Sequence, residues 1–188
     1  VSLVDRLYSP SSKNSKYINT NGPLSVGRQA LLNQRISSIC DDVYRKTPII
    51  NNEMVNKRVL NAQNLKGRDI VVSWLLNHSD DSIIPCMDGF GPEVSIFKSV
   101  FKSTGLDSQR TANSEGINEV LAVIKKFIAD SENEKQCFST LYDKLLSKPY
   151  GMRRGVIPLF VAYAMRPFKE NVVLYHSGKE VELSASIL

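Results

Sequence analysis

The chain is expected to be mainly α, with a helical module followed by a winged-helix-like unit of three helices and a C-terminal β-hairpin. Two observations predict this. Apolar residues recur at three- and four-residue intervals through most of the sequence, interrupted by short stretches rich in Gly, Pro, Asn and Asp. Near the C-terminus two short runs flank Ser177 and Gly178, and the second, Glu180-Val181-Glu182-Leu183, has a period of two.

Composition allows a real core. The 188 residues are 42% hydrophobic and 23% charged, an ordinary balance for a domain-sized chain. Twenty-four Lys and Arg against 19 Asp and Glu leave a net charge of +5, which permits an anionic partner without demanding one. No run approaches the roughly 20 apolar residues of a membrane helix, so no membrane is expected. Cys40, Cys86 and Cys137 are scattered, without CxxC spacing, which argues against a disulfide framework or a zinc site and fits a reducing cytoplasm. Neither the opening at Val1 nor the close at Ile187-Leu188 has a signal-peptide pattern or a polar tail, and the chain reads as a region excised from a longer protein.

Each element has its own local cause. Residues 1–23 read as a loop or linker, since Ser9 to Gly22 is rich in Ser, Asn and Lys and has no period. The helical module spans 24–106. Its first helix begins near Ser25, with Leu31, Leu32, Ile36, Ile39, Cys40, Val43 and Tyr44 on one face, and stops before Pro48. A second helix, capped by Asn51 or Asn52, carries Met54, Val55 and Val59. A third continues past Gly67 through Ile70, Val71, Trp74 and Leu75 to about His78. Ser79 to Gly91 is a polar loop. Pro92 and Glu93 then open a helix that buries Val94, Phe97, Val100 and Phe101 and closes at Gly105.

The polar break from Asp107 to Asn113 is the expected internal boundary, with the winged-helix-like module at 114–188. There a helix from Ser114 carries Val120, Leu121, Ile124, Phe127 and Ile128, and a second carries Phe138, Leu141, Tyr142, Leu145 and Leu146. After the turn Lys148-Pro149-Tyr150-Gly151, a third helix starts at Arg154 or Gly155, with Pro158 tolerated in its first turn, and ends at Pro167. The hairpin follows, 172–175 pairing with 180–183.

A winged helix invites a DNA-binding reading, which the third helix opposes. A groove-reading helix needs polar side chains for base edges, whereas Val156 to Met165 is apolar on every side and so belongs in an interior. Basic residues remain as candidate nucleic-acid contacts. Lys57, Arg58, Lys66 and Arg68 form one group, with several asparagines nearby, while Arg153, Arg154 and Lys179 belong to the second module. Such residues position a phosphate backbone without specifying sequence. A solvated surface or an internal carboxylate partner is the commoner fate of each.

The sequence advertises no catalysis. It has no GxxxxGK[ST], and Gly89-Phe90-Gly91 ahead of Pro92 is a tight turn rather than a phosphate cradle. The adjacent pairs Asp41-Asp42 and Asp80-Asp81 do not form dyads, and His78 and His176 are isolated from other ligands. Trp74 reads as core. No enzyme activity, cofactor, metal or small-molecule substrate is therefore expected.

Three segments together resemble a known family. They are Pro48-Ile49-Ile50-Asn51-Asn52-Glu53-Met54-Val55-Asn56-Lys57, then Gly91-Pro92-Glu93 leading to Thr104-Gly105-Leu106, and then Pro149-Tyr150-Gly151 with Arg154-Gly155-Val156-Ile157-Pro158-Leu159. They resemble segments downstream of the nucleotide-binding core in very large bacterial P-loop ATPases of the bacteriophage-exclusion and defence type. The resemblance covers the chain in patches and transfers no nucleotide-binding residue. It implies an interaction or nucleic-acid-contacting module of a multidomain ATPase, whose partners are the rest of that protein, partner subunits or DNA.

Overall fold

The expected helices past residue 28 are all present in a computed structural model of the chain, which describes residues 16–78, 83–109 and 111–188. The fold is mainly α, with two short antiparallel strand pairs, one of them a C-terminal hairpin. Compact units divide after Arg45, into 1–45 and 46–188.

In the first unit, part of the expected linker pairs with itself. Strands β1 (Tyr17–Asn19) and β2 (Gly22–Leu24) run antiparallel, with Tyr17 opposite Leu24. The Asn19 side chain accepts from the Asn21 N–H inside the turn, a local bond that composition alone does not reveal. Residues 9–15 of that linker, and the N-terminal stretch read for a signal peptide, lie outside the described residues. Helix α1 spans Gln29–Val43, starting later than Ser25. Of its expected apolar face Leu32 is buried, but Leu31, Ile36 and Tyr44 are exposed.

The second unit opens on α2 (Glu53–Asn56), whose N-cap Asn52 accepts from the Met54 N–H at 2.9 Å. This helix stops before Val59, which is exposed, and the next begins under its own cap. Asn61 accepts from the Asn64 N–H at 2.8 Å and starts α3 (Ala62–Asn77). Gly67 lets α3 meet α4 (Pro92–Phe97), since a Cβ at 67 would stand 2.9 Å from Pro92 Cβ. The helix expected to run on to Gly105 changes its winding to a π-helical turn at Lys98–Lys102. Here the hydroxyls of Ser99, Ser103 and Thr104 each donate back to a carbonyl three or four residues earlier, the bonding that bends a helix ladder.

Helices α5 (Glu115–Asp130) and α6 (Phe138–Leu146) follow with their apolar faces inward. Then comes α7 (Ile157–Met165), all nine of whose residues are buried. It begins two or three residues later than expected, with Pro158 in its first turn, and passes into a 3-10 helix at Arg166–Asn171. Strands β3 (Leu174–His176) and β4 (Lys179–Val181) form the hairpin. Its turn residues Ser177 and Gly178 both take positive φ, 51° and 78°, as a two-residue turn matched to strand twist requires.

The break at 107–113 does not separate two cores. Helix α7 packs against α3 from upstream and against α5 from downstream. Phe101 stacks on Tyr163 at 5.7 Å and meets Phe160 at 6.4 Å, so side chains from both sides of the break share one interior. A helix that is apolar all round needs cover on every side, and α5 and α6 supply only part of it.

Candidate functional site

The stretch from Lys46 to Leu60 organises the second unit. Its Thr47 hydroxyl donates to the Tyr150 carbonyl, and the Lys46 N–H donates to the Pro149 carbonyl. Buried Asn52 donates its amide to the Ser95 carbonyl at 3.2 Å and to the Ser99 hydroxyl at 2.8 Å. The Asn56 amide closes the stretch on itself through the Ile50 carbonyl. Val55 presents its carbonyl to Gly155, where a Cβ would come within 2.5 Å of that oxygen. The three segments that carry the family resemblance, distant in sequence, thus meet in one corner.

That corner gathers cations. Lys57 and Arg58 lie two and three residues after Val55, and Arg153 and Arg154 precede Gly155; all four are exposed. Along an extended chain Lys57 can lie no more than about 7 Å from Val55, and Arg154 about 4 Å from Gly155. Among the described residues the ion pairs are Lys46–Glu119, Arg68–Asp69 and Lys126–Asp130, and none of them uses these four.

Arg68 is placed differently. Its Nε and Nη2 both donate to the neighbouring Asp69 carboxylate, at 2.9 and 2.7 Å. It is the internally paired arginine of its group. Tyr142 of α6 lies within the electrostatic reach of both Arg68 and Arg154. Burial pushes its phenol up to about 12, against the pull of those two guanidinium groups, and its hydroxyl donates to the Leu188 carbonyl. Tyr142 therefore marks where α3, α6 and the approach to α7 come together. The sequence reading had it only as core, because a helical period reports which side faces inward and not which neighbours arrive there.

The remaining candidates are not gathered with them. Lys66 is exposed on α3, two residues and so about 200° of helix rotation from Arg68. Lys179 is exposed at the β3–β4 turn, on a hairpin whose Tyr175 ring is covered by Lys135 at 4.6 Å. The four-residue basic group is thus split, with Lys57 and Arg58 between α2 and α3, near the Val55–Gly155 approach, and Lys66 and Arg68 on α3.

Other residues singled out by the sequence have structural partners. Trp74 is half-buried against the core and donates its indole N–H to the Pro85 carbonyl at 3.1 Å. The His78 ring lies tilted against it, with centroids 4.4 Å apart. Asp41 and Asp42 are exposed on α1, and Asp80 and Asp81 lie outside the described residues. Cys137, exposed at the start of α6, has its thiol shifted below the ordinary range by the Ser139 hydroxyl and backbone. Among the described residues no group of three His, Cys, Asp or Glu side chains could hold a metal ion, and no helix is long and apolar enough to cross a membrane. Phe90 is fully exposed on the turn ahead of α4.

Comparison with known proteins found no matching family model, no matching curated protein and no matching solved structure.

Proposed function

We propose that this chain is a non-catalytic helical interaction module of a large bacterial P-loop ATPase of the defence type, holding domains or subunits together. The observation that carries the proposal is the complete burial of α7. In a winged helix used for reading DNA, the corresponding helix must present polar side chains to base edges. Here that helix is interior, and it ties the upstream helices to the downstream ones. The element order is therefore used as a scaffold. The meeting of the three ATPase-like segments in one corner gives further support, since a resemblance held in scattered patches gains weight when those patches touch.

Phe90 is the contact point in this proposal. An exposed phenylalanine forgoes roughly 1.5–3 kcal/mol of burial, and large aromatic side chains dominate the energetics of interfaces. A photoreactive phenylalanine analogue at position 90, introduced in cells that make the protein, tests it. The expected product is a cross-linked peptide pair, within one polypeptide or between subunits, from a protein that carries a P-loop ATPase core, identified by mass spectrometry. Efficient incorporation without such a product would remove the proposal.

A further inference from the structure

We propose that Lys57, Arg58, Arg153 and Arg154 form one surface that grips the phosphate backbone of a nucleic-acid duplex without reading its sequence. The inference does not depend on the chain belonging to an ATPase.

The surface is composite. Two of its cations lie between α2 and α3, and two lie between α6 and α7, almost a hundred residues later. What joins them is the approach of Gly155 to the Val55 carbonyl and to the Leu60 side chain, which leaves no room for a Cβ. Asp69 pairs with Arg68, whereas Lys57, Arg58, Arg153 and Arg154 enter none of the ion pairs among the described residues. Three of the four cations, Arg58, Arg153 and Arg154, are arginines with planar, forked donors suited to phosphate oxygens.

The chemistry favours duplex backbone over other anions. An unstacked single strand would need aromatic platforms, yet exposed Phe90, Phe168 and Tyr175 stand on other elements. An acidic protein partner would also meet exposed Val59 beside Arg58, and the polyglutamate competition below separates that occupant from a duplex. Base reading is closed off because α7 is interior. What remains is a sequence-independent, salt-sensitive contact.

Fluorescence anisotropy with the full chain and two unrelated labelled duplexes tests this across a range of salt. If each cation neutralises one phosphate, log affinity should fall with log salt at a slope of about −3.6 for B-form DNA, roughly a hundredfold between 50 and 200 mM. Both duplexes should bind alike. The combined variant Lys57→Gln, Arg58→Gln, Arg153→Gln, Arg154→Gln should lose most of that slope and at least about tenfold in low-salt affinity. A control of equal charge change, Lys66→Gln, Lys102→Gln, Lys125→Gln, Lys179→Gln, should keep the slope. All eight positions are exposed, and a thermal melt of each variant checks that it is folded. The proposal is overturned by salt-insensitive or absent binding, or by an equal loss in both variants. It is also overturned if polyglutamate competes as well as duplex at matched charge, which would assign the surface to an acidic protein.

Discussion

Gly155 lies against the backbone of Val55, so closely that a Cβ at 155 would stand 2.5 Å from the Val55 carbonyl oxygen and 3.0 Å from the Leu60 side chain. The obstacle is a main-chain carbonyl, which cannot swing aside as a flexible side chain would. Gly155→Ala should therefore destabilise the fold by about 1–3 kcal/mol, the ordinary cost of overpacking. Urea denaturation checks this. An unchanged midpoint would mean that the two segments are not in contact.

Asn52 and Asn61 are both helix caps, but only Asn52 is buried. Asn61→Ala should cost about 1 kcal/mol, the worth of a cap alone. Asn52→Ala also removes the bonds to Ser95 and Ser99, and should cost about 2–4 kcal/mol once those losses are added. Comparing the two variants in one denaturant series separates a local cap from a tertiary bond.

Tyr142 makes stability sensitive to alkaline pH. Its folded-state value of about 12 lies above the ordinary value of 10.0, so between these limits the unfolded chain gives up its proton first. The contribution is fully present below about pH 10 and is lost as pH rises towards 12. Tyr142→Phe should flatten this part of the decline, by up to about 2 kcal/mol. Arg154→Gln removes one of the cations favouring the phenolate and should move the phenol titration, followed by ultraviolet absorbance, to still higher pH.

Phe101 and Phe160 come from opposite sides of the expected boundary at 107–113, with ring centroids 6.4 Å apart. Their substitutions should not be additive. A double-mutant cycle with Phe101→Leu and Phe160→Leu should give a coupling of about 0.5–1.5 kcal/mol. Residues 46–188 should also unfold in one cooperative transition. Two separate transitions and zero coupling would restore the two-module division.

Local patterns carried much of this. Pro92 and Glu93 mark the start of α4, Asn52 announces its cap, and Ser177-Gly178 places the hairpin turn. Each depends on a residue and its near neighbours; Asn52 was one of two caps the sequence offered for α2, while the cap at Asn61 went unread because no helix start was expected there. The π-helical winding at Lys98–Lys102 was not, because the hydroxyls that bend it also fit an ordinary helix surface. The candidate surface was half legible. Its cations stood out by type, but Lys66 was grouped with Arg58 although helix rotation turns it away from Arg68, and Tyr142 was passed over.

Helix-forming periodicity, the caps and the all-round apolar character of Val156 to Met165 are properties of short windows, and they alone assign a mainly α chain with one interior helix. Which helices enclose α7, where the units divide, and which segments carrying basic residues come together depend on contacts between residues far apart in the chain. Many arrangements satisfy the same local preferences. Packing chooses among them through close approaches such as Gly155 to Val55 and Gly67 to Pro92, and no single segment encodes these.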